Sequence, residues 1–306
     1  MGHHHNDLDV IKGRLDGKTC LVTGANSGLG KAMAIELARR GANVIMGCRR
    51  EYHDELAEIQ AASGNDKVSL RVVDLASFDS VDRFCRQLGD EKVNLDVVMC
   101  NAGMAAGGDL VTQDGIPLIL QVNCFSYARM IRNFLAMGII RQDLHCVDKP
   151  RIIFTSSTRH RGAPSIDLDH FGVMPRPRFG DVFKVYGLSK LYLMNYAWEL
   201  GKRLMVENQP LVSVFAFCPG PFRSRIGEDL GFLGKIAMSS LPVSPQKAAW
   251  LAIYLACSPE MDGKTLVYYH KRKQEEPDRR VTDPACGARI WEMTNQLLDR
   301  TGGRSG

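Results

Sequence analysis

Residues 23–30 read Thr23-Gly24-Ala25-Asn26-Ser27-Gly28-Leu29-Gly30. The apolar run at residues 19–22 suits a buried strand, and residues 31–40 carry apolar side chains at helical spacing. A glycine turn between a strand and a helix can cradle a phosphate, because glycines permit a tight turn and the helix start offers free N–H groups. The spacing is G-x-x-x-G-x-G, and an ordinary tight turn is the competing interpretation.

Strand and helix patterns alternate outward from this turn. We predict strands at residues 19–22, 43–47, 68–73, 95–100, 151–155, 212–217 and 266–269, and helices near 31–40, 51–62, 77–89, 113–140, 182–204 and 285–298. Such alternation predicts an α/β fold with a doubly wound parallel sheet of about seven strands and helices on both faces. We expect one domain over residues 15–300, after an N-terminal tail at residues 1–14 that contains His3-His4-His5.

Composition narrows the class of protein. The 306 residues carry a net charge of +5 without one long basic run, so nucleic acid is not the expected partner. The nine cysteines include no C-x-x-C pair, which indicates reduced thiols and a cytoplasmic location, and no metal site is predicted. We recognise no signal peptide, and polar residues interrupt the longest apolar stretch, at 116–140, so no transmembrane segment is expected.

In two segments, residues 158–181 and 222–245, the apolar residues follow no clear helical or strand period. Long irregular insertions of this kind are lids, binding loops or surface decoration. The second segment is rich in apolar side chains between residues 226 and 238, which favours a lipophilic substrate, although helix packing explains them equally well.

Residues that follow the predicted strands test the phosphate-cradle interpretation, because ligands of open parallel sheets bind at the carboxyl ends of strands. Arg49 follows the second strand where an acidic residue would hold a ribose 2′-hydroxyl, which favours the 2′-phosphate of NADP, unless Arg49 is a solvated loop charge. Asp74 and Leu75 follow the third strand and are placed to contact adenine, although an Asp there is often a helix cap. After the fourth strand, Asn101, Ala102 and Gly103 would let the backbone approach a ribose.

Tyr186 and Lys190 lie one helical turn apart on one face of the helix predicted at residues 182–204. A free tyrosine, with a pKa of about 10, is a poor acid–base catalyst at neutral pH. A nearby ammonium, together with an oxidised nicotinamide, would lower that pKa. An ordinary surface pair is the alternative interpretation.

Taken together, these motifs resemble the short-chain dehydrogenase/reductase family, classical type, over roughly residues 15–270. The resemblance is carried, in order along the chain, by Gly24 to Gly30, Asn101-Ala102-Gly103, Asn123, Ser156-Ser157, Tyr186 with Lys190, and Pro219-Gly220. It implies a Rossmann-type fold and a nicotinamide cofactor. The segments Met46-Gly47-Cys48-Arg49 and Tyr186-Gly187-Leu188-Ser189-Lys190 are most similar to the branch of retinol dehydrogenases and protochlorophyllide reductases.

The resemblance also implies roles for individual residues. Tyr186 would be the general acid, Ser157 would bind the substrate oxygen, Lys190 would hold the nicotinamide ribose, and Asn123 would hold a water that relays protons to Lys190. Cofactor contacts are implied at Gly24, Asn26, Ser27, Gly28, Leu29, Gly30, Arg49, Asp74, Leu75, Asn101, Ala102, Gly103, Tyr186, Lys190, Pro219, Gly220 and Ser224.

The leading hypothesis is an NADP(H)-dependent oxidoreductase that acts on a carbonyl or alcohol group of a lipophilic small molecule. Light-dependent reduction of a C=C bond is one alternative, although protochlorophyllide reductases typically lack the serine that Ser157 supplies here. A non-catalytic cofactor-binding regulator is another alternative. Family analogy implies a homodimer or homotetramer through the long helices at 113–140 and 182–204.

Overall fold

Eight strands form the central sheet of the computed structural model, which describes residues 8, 10–105, 110–174, 182–220 and 243–302. They are β1 (Thr19–Thr23), β2 (Asn43–Cys48), β3 (Val68–Val72), β4 (Val97–Cys100), β5 (Arg151–Thr155), β6 (Ser213–Cys218), β7 (Val267–His270) and β8 (Lys273–Glu275). The spatial order is β8-β7-β6-β5-β4-β1-β2-β3. Strands β1 to β7 are parallel, and β8 pairs antiparallel with β7. The predicted doubly wound sheet is confirmed, with eight strands rather than about seven.

Helices cover both faces of this sheet. They are α1 (Gly28–Arg39), α2 (His53–Ser63), α3 (Phe78–Asp90), α4 (Leu118–Leu120, π-helical Gln121–Phe125 and Ser126–Ala136), α5 (Val182–Arg203), α6 (Pro245–Cys257), α7 (Arg279–Thr282) and α8 (Pro284–Gly302). Short 3-10 turns lie at Thr158–Gly162 and Pro259–Met261, and a small hairpin pairs Met205–Val206 with Gln209–Pro210.

Side chains of the inner strands alternate between two apolar cores. Leu21 and Ile152 point into the core beneath α3, α4 and α5, whereas their neighbours Val22 and Ile153 point into the core beneath α1 and α6. All four side chains are completely buried. The period of two along the inner strands therefore fills both layers at once, as expected for a parallel sheet that is covered on both faces.

Helix α4 differs most from its predicted form. The sequence pattern predicted a continuous helix over residues 113–140, but regular structure begins at Leu118 and includes the π-helical turn Gln121–Phe125. There the Ser126 N–H donates to the Gln121 carbonyl, five residues back. A π turn adds one residue to the helix and is frequent at functional sites.

The packed chain begins before the predicted boundary at residue 15. Leu8 and Ile11 are buried against the core beneath α1. The Arg40 guanidinium donates to the carbonyls of Leu8, Ile11 and Gly13 at 2.8–2.9 Å. The half-buried Arg40, directly after α1, therefore fixes this segment, which was expected to be part of an N-terminal tail.

Candidate active site

A tight turn joins β1 to α1 at the point where strand order reverses. The Gly24 N–H donates to the Gly47 carbonyl at 2.8 Å, and Gly24 and Gly28 have φ angles of 68° and 54°. A Cβ on Gly30 would lie 2.2 Å from the Gly24 carbonyl oxygen, so no other residue fits there without movement. Ser27 begins α1 without a side-chain cap, which leaves the first N–H groups of the helix free to bind an anion.

The hydroxyl of Thr23 joins this turn to the end of β4. It accepts from the N–H groups of Asn101 and Ala102, at 2.9 and 3.1 Å. The Asn101 side-chain amide returns a hydrogen bond to the Thr23 carbonyl at 3.0 Å, and the Tyr127 hydroxyl donates to the Ala102 carbonyl at 2.6 Å. The structural role of Tyr127 was not predicted, because a tyrosine within an apolar helix pattern gives no sign of where its hydroxyl lies.

A cleft of about 670 Å³ extends from the glycine turn to Tyr186. Its walls contain the predicted residues Gly24, Asn26, Ser27, Gly28, Leu29, Gly30, Arg49, Asp74, Leu75, Asn101, Ala102, Gly103, Ser157, Tyr186, Lys190, Pro219 and Gly220. Ser224 and the apolar residues 226–238 lie outside the described residues. Residues from seven separate parts of the sequence thus meet at one edge of the sheet, where the strand order predicts a ligand.

One end of the cleft is basic. Arg49 and Arg50 are exposed at the end of β2, and Arg50 lies over the Tyr52 ring at 5.9 Å. Arg49 forms no ion pair with any residue in the part of the chain that the structure describes. A cation that faces the cleft in this way is suited to a phosphate group.

Asp74 lies near this end of the cleft and does not cap the following helix. One carboxylate oxygen of Asp74 accepts from the Ala76 N–H at 2.9 Å, whereas α3 is capped by the Ser77 hydroxyl. The helix-cap alternative for Asp74 is therefore wrong. Its second carboxylate oxygen receives no hydrogen bond from the described residues, and Asp74 lines the cleft where the contact with adenine is predicted.

Ser157, Tyr186 and Lys190 meet at the other end of the cleft. Ser157 and Tyr186 both line this end of the cleft, and the Ser157 side chain acts to lower the pKa of the Tyr186 phenol. The Lys190 ammonium lies 5.7 Å from the centre of the Tyr186 ring and donates to the Thr155 carbonyl at 2.9 Å. The surface-pair alternative is wrong for Lys190, which is only 3% exposed.

Burial shifts the pKa values of these two groups in opposite directions. It raises the pKa of the Tyr186 phenol, and the interaction with the Ser157 side chain offsets only part of that rise. It lowers the pKa of Lys190 to about 8. Lys190 does not lower the pKa of Tyr186 as expected, because burial dominates and the Lys190 ammonium donates to the Thr155 carbonyl.

Asn123 lies in the π-helical turn of α4 and is completely buried. Its side-chain oxygen accepts from the Met104 N–H at 2.9 Å, and its amide nitrogen donates to the Met104 carbonyl and to the Ser189 hydroxyl. The Asn123 side chain therefore links the loop that follows β4 to α5. A water relay through Asn123 would have to use its backbone, because its side chain is occupied.

The residues of the cleft fit a dinucleotide. A Cβ on Gly28 would meet nothing within 4 Å, so the turn is open on the side that a pyrophosphate would approach. The Ser156 hydroxyl is buried at the other end of the cleft, and its oxygen is without a hydrogen-bond partner. Among the described residues, no three side chains form a metal-binding group, and no helix is long and apolar enough to cross a bilayer.

A family model described as short chain dehydrogenase matches residues 18–165. Human retinol dehydrogenase 13 is 32% identical over 297 residues, which cover 94% of this chain and 86% of that protein. Human retinol dehydrogenase 14 is 31% identical over 307 residues, with coverage of 94% and 88%.

Solved structures share the fold. An uncharacterized protein from Mycobacterium Paratuberculosis superposes with a TM-score of 0.73 at 24% identity, over 95% of this chain and 97% of that one. The Pseudomonas aeruginosa protein RhlG, solved as an NADP active-site complex, has a TM-score of 0.65 at 24% identity, over 87% of this chain and 97% of its own. The architecture described above is therefore also known from solved structures.

Proposed function

The chain belongs to the short-chain dehydrogenase/reductase family, in its retinol dehydrogenase-like branch, and we propose that it reduces a carbonyl group of a lipophilic small molecule with NADPH, or catalyses the reverse reaction. Family membership makes it an oxidoreductase with a nicotinamide cofactor. The choice of NADP(H), the roles of individual residues and the substrate class are what we propose here.

The observation that carries the proposal is that Ser157, Tyr186 and the buried Lys190 line the same cleft as the glycine turn. In the reductive direction, the Ser157 hydroxyl and the Tyr186 phenol both donate hydrogen bonds to the carbonyl oxygen of the substrate. The Tyr186 proton then moves to this oxygen as negative charge develops on it. The Lys190 ammonium stabilises the phenolate that remains.

The bound nicotinamide supplies the hydride in this direction and accepts it in the reverse one. Within the protein, the N–H groups at the start of α1 would hold the pyrophosphate. Arg49 and Arg50 would hold a 2′-phosphate, since the end of β2 offers two guanidinium groups where NAD-dependent proteins place an acid. This arrangement supports NADP(H) over NAD(H).

A lipophilic substrate is supported by two observations. Met104, Leu118 and Val122 contribute apolar side chains to the wall of the cleft. In addition, the relatives at 31–32% identity are named for retinol, which is an apolar alcohol. A long hydrocarbon chain would gain about 0.8 kcal/mol for each methylene that it buries against such a wall.

The Ser157–Tyr186 pair favours carbonyl chemistry over reduction of a C=C bond. Two adjacent hydroxyl donors stabilise a developing alkoxide, which forms when a carbonyl is reduced. Reduction of a C=C bond forms no alkoxide at the reacting carbon, so this pair would have no such charge to stabilise.

A screen of carbonyl compounds and alcohols with NADPH and NADH, followed by cofactor absorbance, tests the proposal. Retinal and retinol, long-chain aldehydes, and short aldehydes of the same chemistry should be compared. We expect faster NADPH oxidation with the longer apolar aldehydes than with their short analogues. Tight NADPH binding without turnover of any carbonyl or alcohol would contradict the proposal and support the regulator alternative.

A further inference from the structure

His160 is completely buried in the 3-10 turn that follows Ser157. Its Nδ1 atom lies 2.6 Å from the Ser157 carbonyl oxygen, and its Nε2 atom lies 3.2 Å from the backbone nitrogen of Asp278. The imidazole packs edge-on against the Tyr268 ring, with 5.5 Å between ring centres. His160 does not line the cleft, so it touches neither substrate nor cofactor there.

The two contacts determine the tautomer of this ring. A backbone N–H only donates, so the Asp278 N–H requires a lone pair on Nε2. The proton must then reside on Nδ1, where it donates to the Ser157 carbonyl. A charged ring would place a second proton on Nε2 and break the bond with Asp278.

The charges around the ring favour this neutral form. Burial and the guanidinium groups of Arg161 and Arg280 lower the pKa of His160, whereas the Ser157 carbonyl and the Asp278 carboxylate act in the opposite direction. The remaining neighbour, Tyr268, has a pKa that is raised by its own burial, so it stays uncharged.

The same turn is held on two further sides. Arg280 donates to the carbonyls of His160 and Ala163, at 3.1 and 2.8 Å, while Asp278 accepts from Arg280. On the opposite side, a Cβ on Gly187 would lie 2.6 Å from the Arg159 carbonyl oxygen. Helix α5 therefore approaches the turn at the residue directly after Tyr186, and any displacement of the turn would separate Ser157 from Tyr186.

We propose that His160 is a positioning residue that fixes the backbone of Ser157 by joining its carbonyl to the N–H of Asp278. The Ser157 carbonyl accepts from both the backbone N–H and the ring of His160, and the Ser157 hydroxyl accepts from the Arg159 N–H at 3.3 Å. The ring thereby holds Ser157 in place in the wall of the cleft that Tyr186 also lines. This inference rests on the function proposed for Ser157 and Tyr186.

A matched pair of substitutions separates the two contacts of the ring. In His160→Asn, the side-chain amide nitrogen lies near the position of Nδ1 and can still donate to the Ser157 carbonyl. In His160→Gln, the side-chain amide lies near the position of Nε2, so the hydrogen bond to the Ser157 carbonyl is lost. We expect His160→Gln to lower kcat by about 10²-fold without changing the NADPH affinity. The kcat of His160→Asn should be at least about tenfold higher than that of His160→Gln. His145→Gln, at an exposed histidine, is the control and should leave kcat unchanged.

Combination with Ser157→Ala tests whether His160 acts through the serine. In the Ser157→Ala background, His160→Gln should lower kcat by less than about threefold, because the hydroxyl that it positions is already absent. Equal decreases in kcat for His160→Asn and His160→Gln would overturn the proposal. A decrease in kcat of about 10²-fold for His160→Gln in the Ser157→Ala background would overturn it as well.

The tautomer is measurable in the wild-type protein even if the variants fail to fold. Nitrogen NMR of labelled histidine, with the ring assigned through its contact with Tyr268, should show a proton on Nδ1 and a lone pair on Nε2 near neutral pH. The opposite tautomer or a charged ring would overturn the inference, whether or not the protein turns over substrate. Loss of the proposed function would instead appear as absent wild-type turnover with the expected tautomer intact.

Discussion

Tyr186 and Lys190 begin the reaction in protonation states that their burial sets. A raised pKa keeps the phenol protonated at neutral pH, which is the form needed to donate a proton to a carbonyl. Lys190, with its pKa lowered to about 8, is the group of this pair that titrates nearer to neutral pH. A protonated phenol beside a charged ammonium is the arrangement that the proposed reduction requires.

The pH dependence of reduction should follow Lys190 rather than Tyr186. Lys190 is charged below its pKa of about 8 and neutral above it, so kcat/KM for NADPH should be maximal below that pH and fall as pH rises through it. Steady-state kinetics across this range, with an active aldehyde, measure the effect. A profile that stays level well above pH 8, or an unchanged midpoint in a Lys190→Arg variant, would show that another group controls it.

Arg49 should determine the preference for NADPH. Removal of its guanidinium deletes a charge-assisted contact with a 2′-phosphate, so Arg49→Ala should weaken NADPH binding by about tenfold or more and leave NADH binding nearly unchanged. Titration of cofactor fluorescence gives both affinities. Arg39→Ala is the control, since Arg39 bonds to the Ala62 carbonyl away from the cleft. Equal affinities for both cofactors that do not change in Arg49→Ala would contradict the 2′-phosphate assignment.

At the scale of elements, the turn between β1 and α1 was predictable, because glycine spacing and the change of period both appear in the sequence. The π-helical turn at Asn123 was not, since the pattern of apolar residues continues unchanged through it. Helix α6 was also missed, although the Ser244 cap and Pro245 at its first position are its sequence signals. Strand β8, Lys273–Glu275, has no apolar pattern and forms only because β7 offers an edge.

The glycine turn allows a direct test of the cradle. A Cβ on Gly30 would collide with the Gly24 carbonyl, so Gly30→Ala should displace the turn and weaken NADPH binding by about tenfold or more. Gly64, with a φ of 70° and open space around it, ends α2 and is the matched control. Gly64→Ala should cost about 1 kcal/mol of unfolding free energy without changing NADPH affinity.

Cofactor titration together with urea unfolding separates these two effects. Normal NADPH affinity in Gly30→Ala would exclude this turn as the phosphate site. A loss of affinity in Gly64→Ala that matches the loss in Gly30→Ala would attribute both effects to stability alone.

At the scale of the whole molecule, the two long helices have little free surface. Fifteen buried residues of α5 occupy nearly its full circumference. On the outer side of α5, α8 stacks Trp291 on Tyr196, with 5.3 Å between ring centres and 8° between ring planes. The Arg129 guanidinium of α4 also donates to the Leu298 carbonyl of α8. These contacts span 95 and 169 residues of sequence and leave no local pattern, so the sequence could not predict that α8 covers α4 and α5.

The prediction of a dimer through α4 and α5, which came from family analogy, should therefore fail. While α8 is in place, we expect light scattering at micromolar concentration to give the mass of one chain. Trp291→Ala, which removes the stacked ring, should not create a dimer unless α8 detaches. A stable dimer of the wild-type protein that is cross-linked through residues of α4 or α5 would contradict this prediction.

The account depends most on Tyr186 as the proton donor. Tyr186→Phe removes one hydroxyl and keeps the ring beside Lys190, so the most direct measurement is turnover of an active aldehyde together with NADPH affinity in this variant. We predict that kcat falls by at least about 10²-fold while the NADPH dissociation constant changes by less than about threefold. Turnover at the wild-type rate in Tyr186→Phe would contradict the mechanism proposed for this protein.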